Sequence, residues 1–137
     1  MLEVETLHHV SICVTDLDKA RQFYSGVLGL REIPEERPKA FNFPGAWYDL
    51  GGGRQLHLIV HATPRTLRGT TEVDFLDGHF ALRVRSYAQT RDLLEAQGIA
   101  MRDRPNNPTP WPQIYITDPD GNVIELNAAT REDGPED

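Results

Sequence analysis

The chain repeats one order of secondary structure twice, and this repeat limits its fold more than any other feature of the 137 residues. Each half has an alternating strand, an amphipathic helix, a short strand followed by a proline-rich loop, and a hairpin. His9 of the first half corresponds to His79 of the second, and His57 corresponds to Glu125. Residue identity between the halves is low, so the case rests on element order and on which residues share a face. The sequence therefore predicts a duplicated, pseudo-twofold α+β fold.

The pattern also sets the expected boundaries within a single domain covering residues 1–137. Module one is expected at about residues 5–62 and module two at about 78–128, with a polar connector at about 63–77. The acidic tail at 129–137 is expected to be disordered, because it carries charge and no apolar periodicity.

Residues 7–14, LHHVSICV, show the alternation on which this prediction depends. Val10, Ile12 and Val14 fall on one face of a strand and His9 falls on the other. The next segment, TDLDKARQFYSGVLGL, predicts a helix that begins after Asp16 and ends at Gly29. In the second half, GHFALRV predicts the matching strand, SYAQTRDLLEAQGI a helix, RDRPNNPTPWP a loop and QIYITDPDGNVIELN a hairpin.

Composition restricts the class of protein and its partners. Hydrophobic residues at 39% and charged residues at 26% are typical of a soluble globular protein. A net charge of −7 argues against nucleic acid or an anionic membrane as partner. A single cysteine cannot form an internal disulfide, and we find no signal peptide or transmembrane segment, so we expect a cytoplasmic protein.

Four strands each carry one potential metal ligand on the face opposite their aliphatic residues. The four residues are His9, His57, His79 and Glu125. Because they occupy corresponding places in the two halves, a pseudo-twofold fold would bring them towards one axis. Three imidazoles and a carboxylate suit one divalent ion, with Zn, Fe, Ni, Co and Mn all compatible. An octahedral ion would keep two positions for water or a chelating substrate.

Other residues are candidates for binding a small-molecule substrate. Arg83 shares the face of His79 and could pair with a carboxylate or phosphate of an anionic substrate. Tyr115 and Asn127 lie on the same side by strand parity. Aromatic residues surround the two proline-rich loops, where they would wall a pocket or pack a dimer interface; these are Trp47, Trp111, Phe41, Phe43 and Tyr48.

At this point the sequence resembles a known family. LHHVSICVTDLDKARQFYSGVLGL, GHFALRV and YITDPDGNVIEL are similar to segments of the vicinal oxygen chelate superfamily, also called the glyoxalase/bleomycin resistance/dioxygenase family, over about residues 7–128. The resemblance implies two βαβββ modules forming a cupped, barrel-like mixed sheet, with helices outside and a divalent metal inside. The family's ligand positions fall on His9, His79 and Glu125. Its hairpin position varies between Glu, Gln, His and no ligand, and here it is His57.

The resemblance implies a metal that binds substrate oxygens and stabilises an enolate, an oxyanion or a bound oxygen species. We expect an enzyme of the lyase or isomerase type, similar to glyoxalases, in which Glu125 serves as ligand and as base. His57 occupies the position where a free carboxylate would share that work, which weighs against isomerisation of a glutathione hemithioacetal in particular. A homodimer is expected, because two chains complete each site in several relatives.

Three other functions stay open at this point. An extradiol-type dioxygenase would use His9, His79 and Glu125 as a facial triad for Fe(II). A resistance enzyme would use the same ligands for thiol transfer or epoxide opening on an antibiotic. A drug-sequestering protein like the bleomycin-binding relatives would not be an enzyme, but such proteins lose the metal ligands that are retained here.

Overall fold

The computed structural model describes residues 1–34, 43–61, 63 and 68–131. The chain divides into two compact units, Met1–Leu67 and Arg68–Asp137. Residues 68–77, expected to belong to a separate connector, fall within the second unit. Of the expected acidic tail, residues 132–137 lie outside the described residues, as does the candidate aromatic Phe41.

The first module forms a four-stranded mixed sheet with a helical segment after its first strand. Its elements are β1 (His9–Val14), α1 (Leu17–Arg21) continued by a π-helical segment (Gln22–Val27), β2 (Arg31–Ile33), β3 (Gly45–Gly51) and β4 (Arg54–Val60). The strand order is β1-β4-β3-β2. Strand β1 runs parallel to β4, while β3 is antiparallel to both β4 and β2.

The helix of the first module begins and ends where the sequence predicts, but it changes type halfway. Asp16 caps it by accepting a hydrogen bond from the Lys19 backbone N–H at 3.0 Å, and Gly29 follows its end with φ +66°. We expected one regular α-helix, whereas residues 22–27 are π-helical and the Leu28 N–H bonds the Phe23 carbonyl at 3.0 Å. The neighbouring residues Phe23 and Tyr24 of this π-helical segment are both buried.

The second module repeats this topology. Its elements are β5 (His79–Arg83), α2 (Tyr87–Ala96), β6 (Arg102–Arg104), β7 (Gln113–Thr117) and β8 (Val123–Asn127). The strand order is β5-β8-β7-β6, with β5 parallel to β8. Ser86 caps α2, and Gly98, with φ +67°, follows its end. The predicted α+β fold of two βαβββ modules is confirmed, and the short strand expected in this half is β6, whose residues we had included in the proline-rich loop.

Residues 68–77 are fastened to the β7–β8 turn by one buried arginine. The Arg68 side chain is 7% exposed and donates to the Asp77 carboxylate at 2.6 Å, the Gly121 carbonyl at 2.8 Å and the Glu72 carbonyl at 2.5 Å. Gly121 has φ +86°, and a Cβ there would lie 2.4 Å from the Thr70 carbonyl oxygen. The close approach of these two backbones therefore requires glycine in the DPDGN turn.

Aliphatic and aromatic residues from the sheets and helices form the buried interior of each module. In the first module Tyr24, Tyr48, Leu56 and Leu58 are fully buried, and in the second Leu94, Ile114, Ile116 and Ile124 are. None of the helices in the described ranges is long and apolar enough to cross a membrane.

Candidate metal and substrate site

The second module brings His79 and Glu125 into direct contact. Strands β5 and β8 pair in parallel, and Ala81 lies opposite Glu125. His79 Nε2 lies 3.1 Å from Glu125 Oε2, and His79 Nδ1 lies 2.7 Å from the Asp77 carbonyl oxygen. The His79 side chain is 25% exposed and that of Glu125 is 9% exposed, so solvent reaches the imidazole while the carboxylate is nearly covered.

The contact between His79 Nε2 and Glu125 Oε2 needs a proton or a cation between the two atoms. A carbonyl oxygen only accepts hydrogen bonds, so the contact with Asp77 places a proton on His79 Nδ1. A neutral ring with that proton turns the Nε2 lone pair towards a carboxylate oxygen, which is also an acceptor. A proton, on the ring or on the carboxyl group, or a cation must therefore lie between the two atoms. A histidine held at Nδ1 by a backbone carbonyl is the arrangement typical of metal ligands.

Three neutral donors hold the Glu125 carboxylate. Gln113 donates to Oε1 at 3.1 Å, Asn127 donates to Oε1 at 2.9 Å, and the Tyr115 hydroxyl donates to Oε2 at 3.1 Å. Burial raises the pKa of Tyr115 to about 12, the Glu125 charge and its hydrogen bond add to the rise, and nearby Arg104 opposes it. Tyr115 consequently stays a hydrogen-bond donor at neutral pH.

The first module brings its two histidines together in another way. The His9 and His57 rings stack with centroids 4.2 Å apart and planes 16° from parallel. Trp47 stacks on His57 at 4.0 Å and 6°. Since two rings cannot occupy one face, His57 lies between His9 and Trp47. His57 is 8% exposed and its Nε2 contacts Gln55 Oε1 at 2.8 Å, while His9 Nδ1 contacts His8 Nδ1 at 2.8 Å.

Stacked imidazoles do not direct their nitrogens at one ion. A ring nitrogen binds a metal along its lone pair, which lies in the plane of the ring, and two parallel planes keep these directions side by side. To bind the same ion as His9, His57 would have to rotate or exchange its contact with Gln55. The family resemblance had already marked the hairpin position as the variable one.

The four predicted ligands therefore occur as two pairs, one in each module. Within the described ranges, no group of three or more His, Cys, Asp or Glu side chains is placed to hold an ion. The donor set itself fits a divalent transition metal, since imidazole nitrogen and carboxylate oxygen are its usual ligands and His79 already has its supporting carbonyl.

The predicted substrate residues divide between the modules. Asn127 lies opposite Arg83 in the pairing of β5 with β8, and Tyr115 lies opposite Glu125 in that of β7 with β8, so these residues share one sheet face. The Arg83 guanidinium carbon lies 5.5 Å from the centre of the Trp111 ring, which places Trp111 near that face. Trp47 belongs to the ring stack of the first module.

One of the aromatics expected near the pocket is buried elsewhere. Tyr48 is fully buried, 6.0 Å from Tyr24 between ring centroids, with its hydroxyl 3.1 Å from that of Ser25. Neighbouring residues of a strand point to opposite faces, so Tyr48 faces the helical segment while Trp47 faces His57. The expectation that Tyr48 walls a pocket or packs an interface was wrong. Phe43 is 37% exposed.

Several residues on the Glu125 face were missed by sequence reasoning. Arg102 lies opposite Tyr115 and Arg104 lies opposite Gln113, because residues 102–104 form a strand. Gln113 itself supplies one of the donors to Glu125. The duplication contained the signal, since REI of the first module is matched by RDR in the second and the two arginines are two residues apart.

Comparison with known proteins assigns the chain to one family. The model of the glyoxalase/bleomycin resistance protein/dioxygenase superfamily matches residues 6–126. The chain is 28% identical over 135 residues to the metallothiol transferase FosB of Staphylococcus epidermidis, covering 96% of this chain and 87% of that protein. It is 29% identical over 122 residues to a probable lactoylglutathione lyase of Vibrio parahaemolyticus, covering 86% of each.

Solved structures support the same fold. A glyoxalase family protein from Bacillus anthracis superposes with a TM-score of 0.72 at 24% identity, covering 93% of this chain and 98% of that one. The fosfomycin resistance protein FosX from Listeria monocytogenes superposes with a TM-score of 0.70 at 22% identity, covering 96% and 98%. With a family model matched over most of its length, the chain belongs to the glyoxalase/bleomycin resistance protein/dioxygenase superfamily.

Proposed function

We propose that the chain is a divalent-metal-dependent enzyme of the glyoxalase type, a lyase or isomerase acting on a small molecule. His79 and Glu125 hold the ion, and His9 and His57 complete the set. The observation that carries this proposal is the contact of His79 Nε2 with Glu125 Oε2 at 3.1 Å, with His79 Nδ1 lying 2.7 Å from the Asp77 carbonyl oxygen. Enzymes among the similar proteins support an enzyme in general.

The residues around Glu125 suit proton transfer next to a carbonyl group. A bound ion supplies Lewis-acid polarisation of a substrate oxygen. Glu125 takes a proton from the carbon next to the substrate carbonyl group, and the electron pair of the broken C–H bond moves towards the carbonyl. Glu125 then returns the proton to the adjacent carbon, the one that carried the carbonyl oxygen. Oε2 accepts a hydrogen bond from Tyr115 and faces His79, while Oε1 accepts hydrogen bonds from the side-chain amides of Gln113 and Asn127. These two amides keep the carboxylate oriented during the transfer.

The remaining parts of the proposal concern the assembly and its substrate. The ligand set draws on both modules, and we propose a cytoplasmic homodimer in which the set is completed within one chain or between two copies. Arg83, Tyr115, Asn127, Trp47 and Trp111 are the proposed substrate-binding residues. An anionic substrate suits Arg83, whose guanidinium stacks above Trp111.

Metal-dependent thiol transfer is the second candidate. The similarity to metallothiol transferase FosB over 96% of this chain favours it. In this function His9, His79 and Glu125 would hold the metal and Glu125 would not act as a base. Incubation with candidate substrates in deuterated water separates the two, because proton transfer places deuterium on carbon while thiol transfer consumes an added thiol.

Metal uptake by two variants tests the proposed site. We expect His79→Ala and Glu125→Ala to abolish uptake of Zn, Ni or Co and to leave the fold largely intact by circular dichroism. His61→Ala is a matched control, because His61 is an exposed histidine just after β4 and its Nδ1 contacts the Thr63 backbone. Full metal stoichiometry in either site variant, measured by elemental analysis, would show that the ligand assignment is wrong.

A further inference from the structure

One peptide group just before β5 contacts the proposed metal ligand His79. It is the peptide that joins Asp77 to Gly78, and its carbonyl oxygen lies 2.7 Å from His79 Nδ1. The N–H of the same peptide donates to Asp77 Oδ1 at 2.8 Å. Because a peptide group is planar, its carbonyl and its N–H turn together. The Asp77 carboxylate therefore controls the direction of the carbonyl that holds the imidazole.

Hydrogen bonds, rather than packing, keep this peptide group in its orientation. Glycine at position 78 leaves the backbone free to turn, because it has no side chain to restrict φ and ψ. Among the described residues, and leaving out its two chain neighbours, no atom lies within 4 Å of the position that a Cβ would take at Gly78. The orientation of the peptide consequently depends on what fixes the Asp77 carboxylate.

A buried arginine fixes that carboxylate. Arg68 Nε donates to Asp77 Oδ2 at 2.6 Å, and the Arg68 side chain is 7% exposed while that of Asp77 is 40% exposed. The other Arg68 nitrogens donate to the Gly121 carbonyl at 2.8 Å and to the Glu72 carbonyl at 2.5 Å. A planar guanidinium directs its donors in fixed directions. The buried arginine is therefore anchored by backbone carbonyls, and the exposed carboxylate is held against it.

The segment that Arg68 anchors also reaches the second proposed ligand. Phe75 lies 6.0 Å from Tyr115 between ring centroids, and the Tyr115 hydroxyl donates to Glu125 Oε2 at 3.1 Å. This oxygen is the one that faces His79. The anchoring of one segment thus bears on both members of the His79 and Glu125 pair.

We propose that Arg68 is a positioning residue of the metal site. Through the Asp77 carboxylate it orients the peptide whose carbonyl holds His79, and this keeps His79 Nε2 directed at Glu125. The inference rests on the proposed function, because it takes His79 and Glu125 to be metal ligands. Orienting a ligand before the ion binds reduces the conformational freedom lost on binding, so loss of Arg68 should lower metal affinity without removing a ligand.

Competition between the protein and a chelator for Zn tests the proposal. Loss of a partner that supports a ligating histidine costs about ten- to a hundredfold in affinity, and Arg68 acts through one further residue, so we expect Arg68→Met to lose about tenfold. Arg68→Lys keeps a charge that can reach Asp77 and should lose less. In both variants the Thr117 hydroxyl, which donates to the Thr71 carbonyl at 3.1 Å, still ties the segment to β7.

Two controls distinguish orientation of the ligand from general destabilisation. Arg91→Met is the matched arginine change, since Arg91 forms its ion pair with Asp92 on α2. Leu94→Ala leaves a cavity where a fully buried side chain of α2 was, so it destabilises the second module. Both should bind Zn like the parent protein wherever circular dichroism shows them folded. A loss in Leu94→Ala equal to that in Arg68→Met overturns the proposal.

A double-mutant cycle tests the route through Asp77. Arg68→Met and Asp77→Ala release the same peptide group, so their losses in Zn affinity should be less than additive. Fully additive losses overturn the proposal, as does parent-like affinity in a folded Arg68→Met. If Arg68→Met does not fold, Arg68→Lys and Asp77→Ala replace it: weaker Zn binding in either folded variant supports the proposal, and parent-like affinity in both overturns it.

A measurement without metal separates this inference from the proposed function. Nuclear magnetic resonance of the metal-free protein follows exchange of the His79 Nδ1 proton with water, and we expect faster exchange in Arg68→Met and the parent rate in Leu94→Ala. If the parent protein takes up no metal, the proposed function fails, and faster exchange still establishes that Arg68 positions His79. If the parent protein binds metal and Arg68→Met binds it equally well, this inference fails and the metal ligands stand.

Discussion

The two modules share a topology and a register but hold their candidate ligands by different forces. In the first, His57 stacks between the rings of His9 and Trp47 and contacts Gln55. In the second, Glu125 faces His79 and accepts hydrogen bonds from neutral side chains. Trp47 lies opposite His57 as Tyr115 lies opposite Glu125, so the comparison concerns equivalent positions.

The neighbours explain the difference. Gln113 and Asn127, which donate to Glu125, lie opposite each other, and their equivalents in the first module are Gly45 and Ile59. A buried carboxylate is stable only where donors surround it, whereas a neutral imidazole can pack against an aromatic ring. Duplication therefore preserved the backbone positions of the ligands, and the residues opposite them set the kind of contact each makes.

The largest difference between the modules should be in the metal affinity lost when one candidate histidine ligand is removed from each. We expect His79→Ala to lower metal affinity by roughly a hundredfold or more, since the loss of a ligand should exceed the ten- to hundredfold effect of a supporting partner. His57→Ala should cost about tenfold or less, because His57 must give up its stacked position or its contact with Gln55 before it can bind an ion shared with His9. Competition with a chelator measures both affinities. Equal losses would mean that the stack rearranges when metal binds.

The next largest difference between the modules should be in the free energy of unfolding lost when an arginine ion pair is broken. Arg68→Met removes hydrogen bonds from a buried guanidinium to the Gly121 and Glu72 carbonyls, and we expect a loss of about 2 kcal/mol or more in the free energy of unfolding. Arg21→Met breaks its exposed pair with Glu32, in which the side chains are 41% and 37% exposed, and should cost at most about 1 kcal/mol. Urea denaturation measures both, and similar losses would contradict the difference in burial.

The fold was predictable because its signals are local. Alternation in residues 7–14, caps such as Asp16 and Ser86, and the DPDGN turn each specify an element without reference to the rest of the chain. The duplication then fixed their order. Strand pairing then makes Trp47 the equivalent of Tyr115, since Trp47 lies opposite His57 and Tyr115 lies opposite Glu125.

The missed features depend on contacts between distant segments. Arg104 and Phe75 are far apart in sequence and meet because β6 pairs with β7 and because Arg68 fastens the preceding segment. The stacking of His57 depends on Trp47, which the sequence analysis placed in a pocket wall or a dimer interface. The gathering of His9, His57, His79 and Glu125 around one ion stays a prediction.

Changing the aromatic residue that contacts each candidate ligand should lower metal affinity moderately in the second module and hardly at all in the first. Tyr115→Phe deletes the hydroxyl that donates to Glu125 Oε2, and we expect metal affinity to fall by roughly tenfold. Trp47→Phe keeps an aromatic ring beside His57 and should leave metal affinity within about twofold. Calorimetric titration with Zn measures both. A larger effect of Trp47→Phe would show that the ring stack governs metal binding.

The smallest expected difference concerns tyrosine ionisation and alkaline stability. Burial raises the pKa of both Tyr87 and Tyr48; the hydrogen bond from Tyr87 to the Asp103 carboxylate adds to the rise, whereas Ser25 opposes it at Tyr48. The folded state favours the protonated phenol, so this stabilisation is complete below the unfolded pKa of about 10 and is lost as pH rises towards the folded pKa.

Above that pH the unfolded chain releases the proton and the folded chain keeps it, which lowers stability by at most about 1.4 kcal/mol per pH unit for each such tyrosine. Tyr87→Phe should therefore flatten the alkaline decline in unfolding free energy more than Tyr48→Phe does. Urea denaturation between about pH 9 and 11 measures the slopes. The reverse order would mean that the pKa of Tyr48, beside Ser25, is raised more than that of Tyr87, beside the Asp103 carboxylate. That result would contradict the expectation that a neighbouring negative charge disfavours ionisation of a phenol.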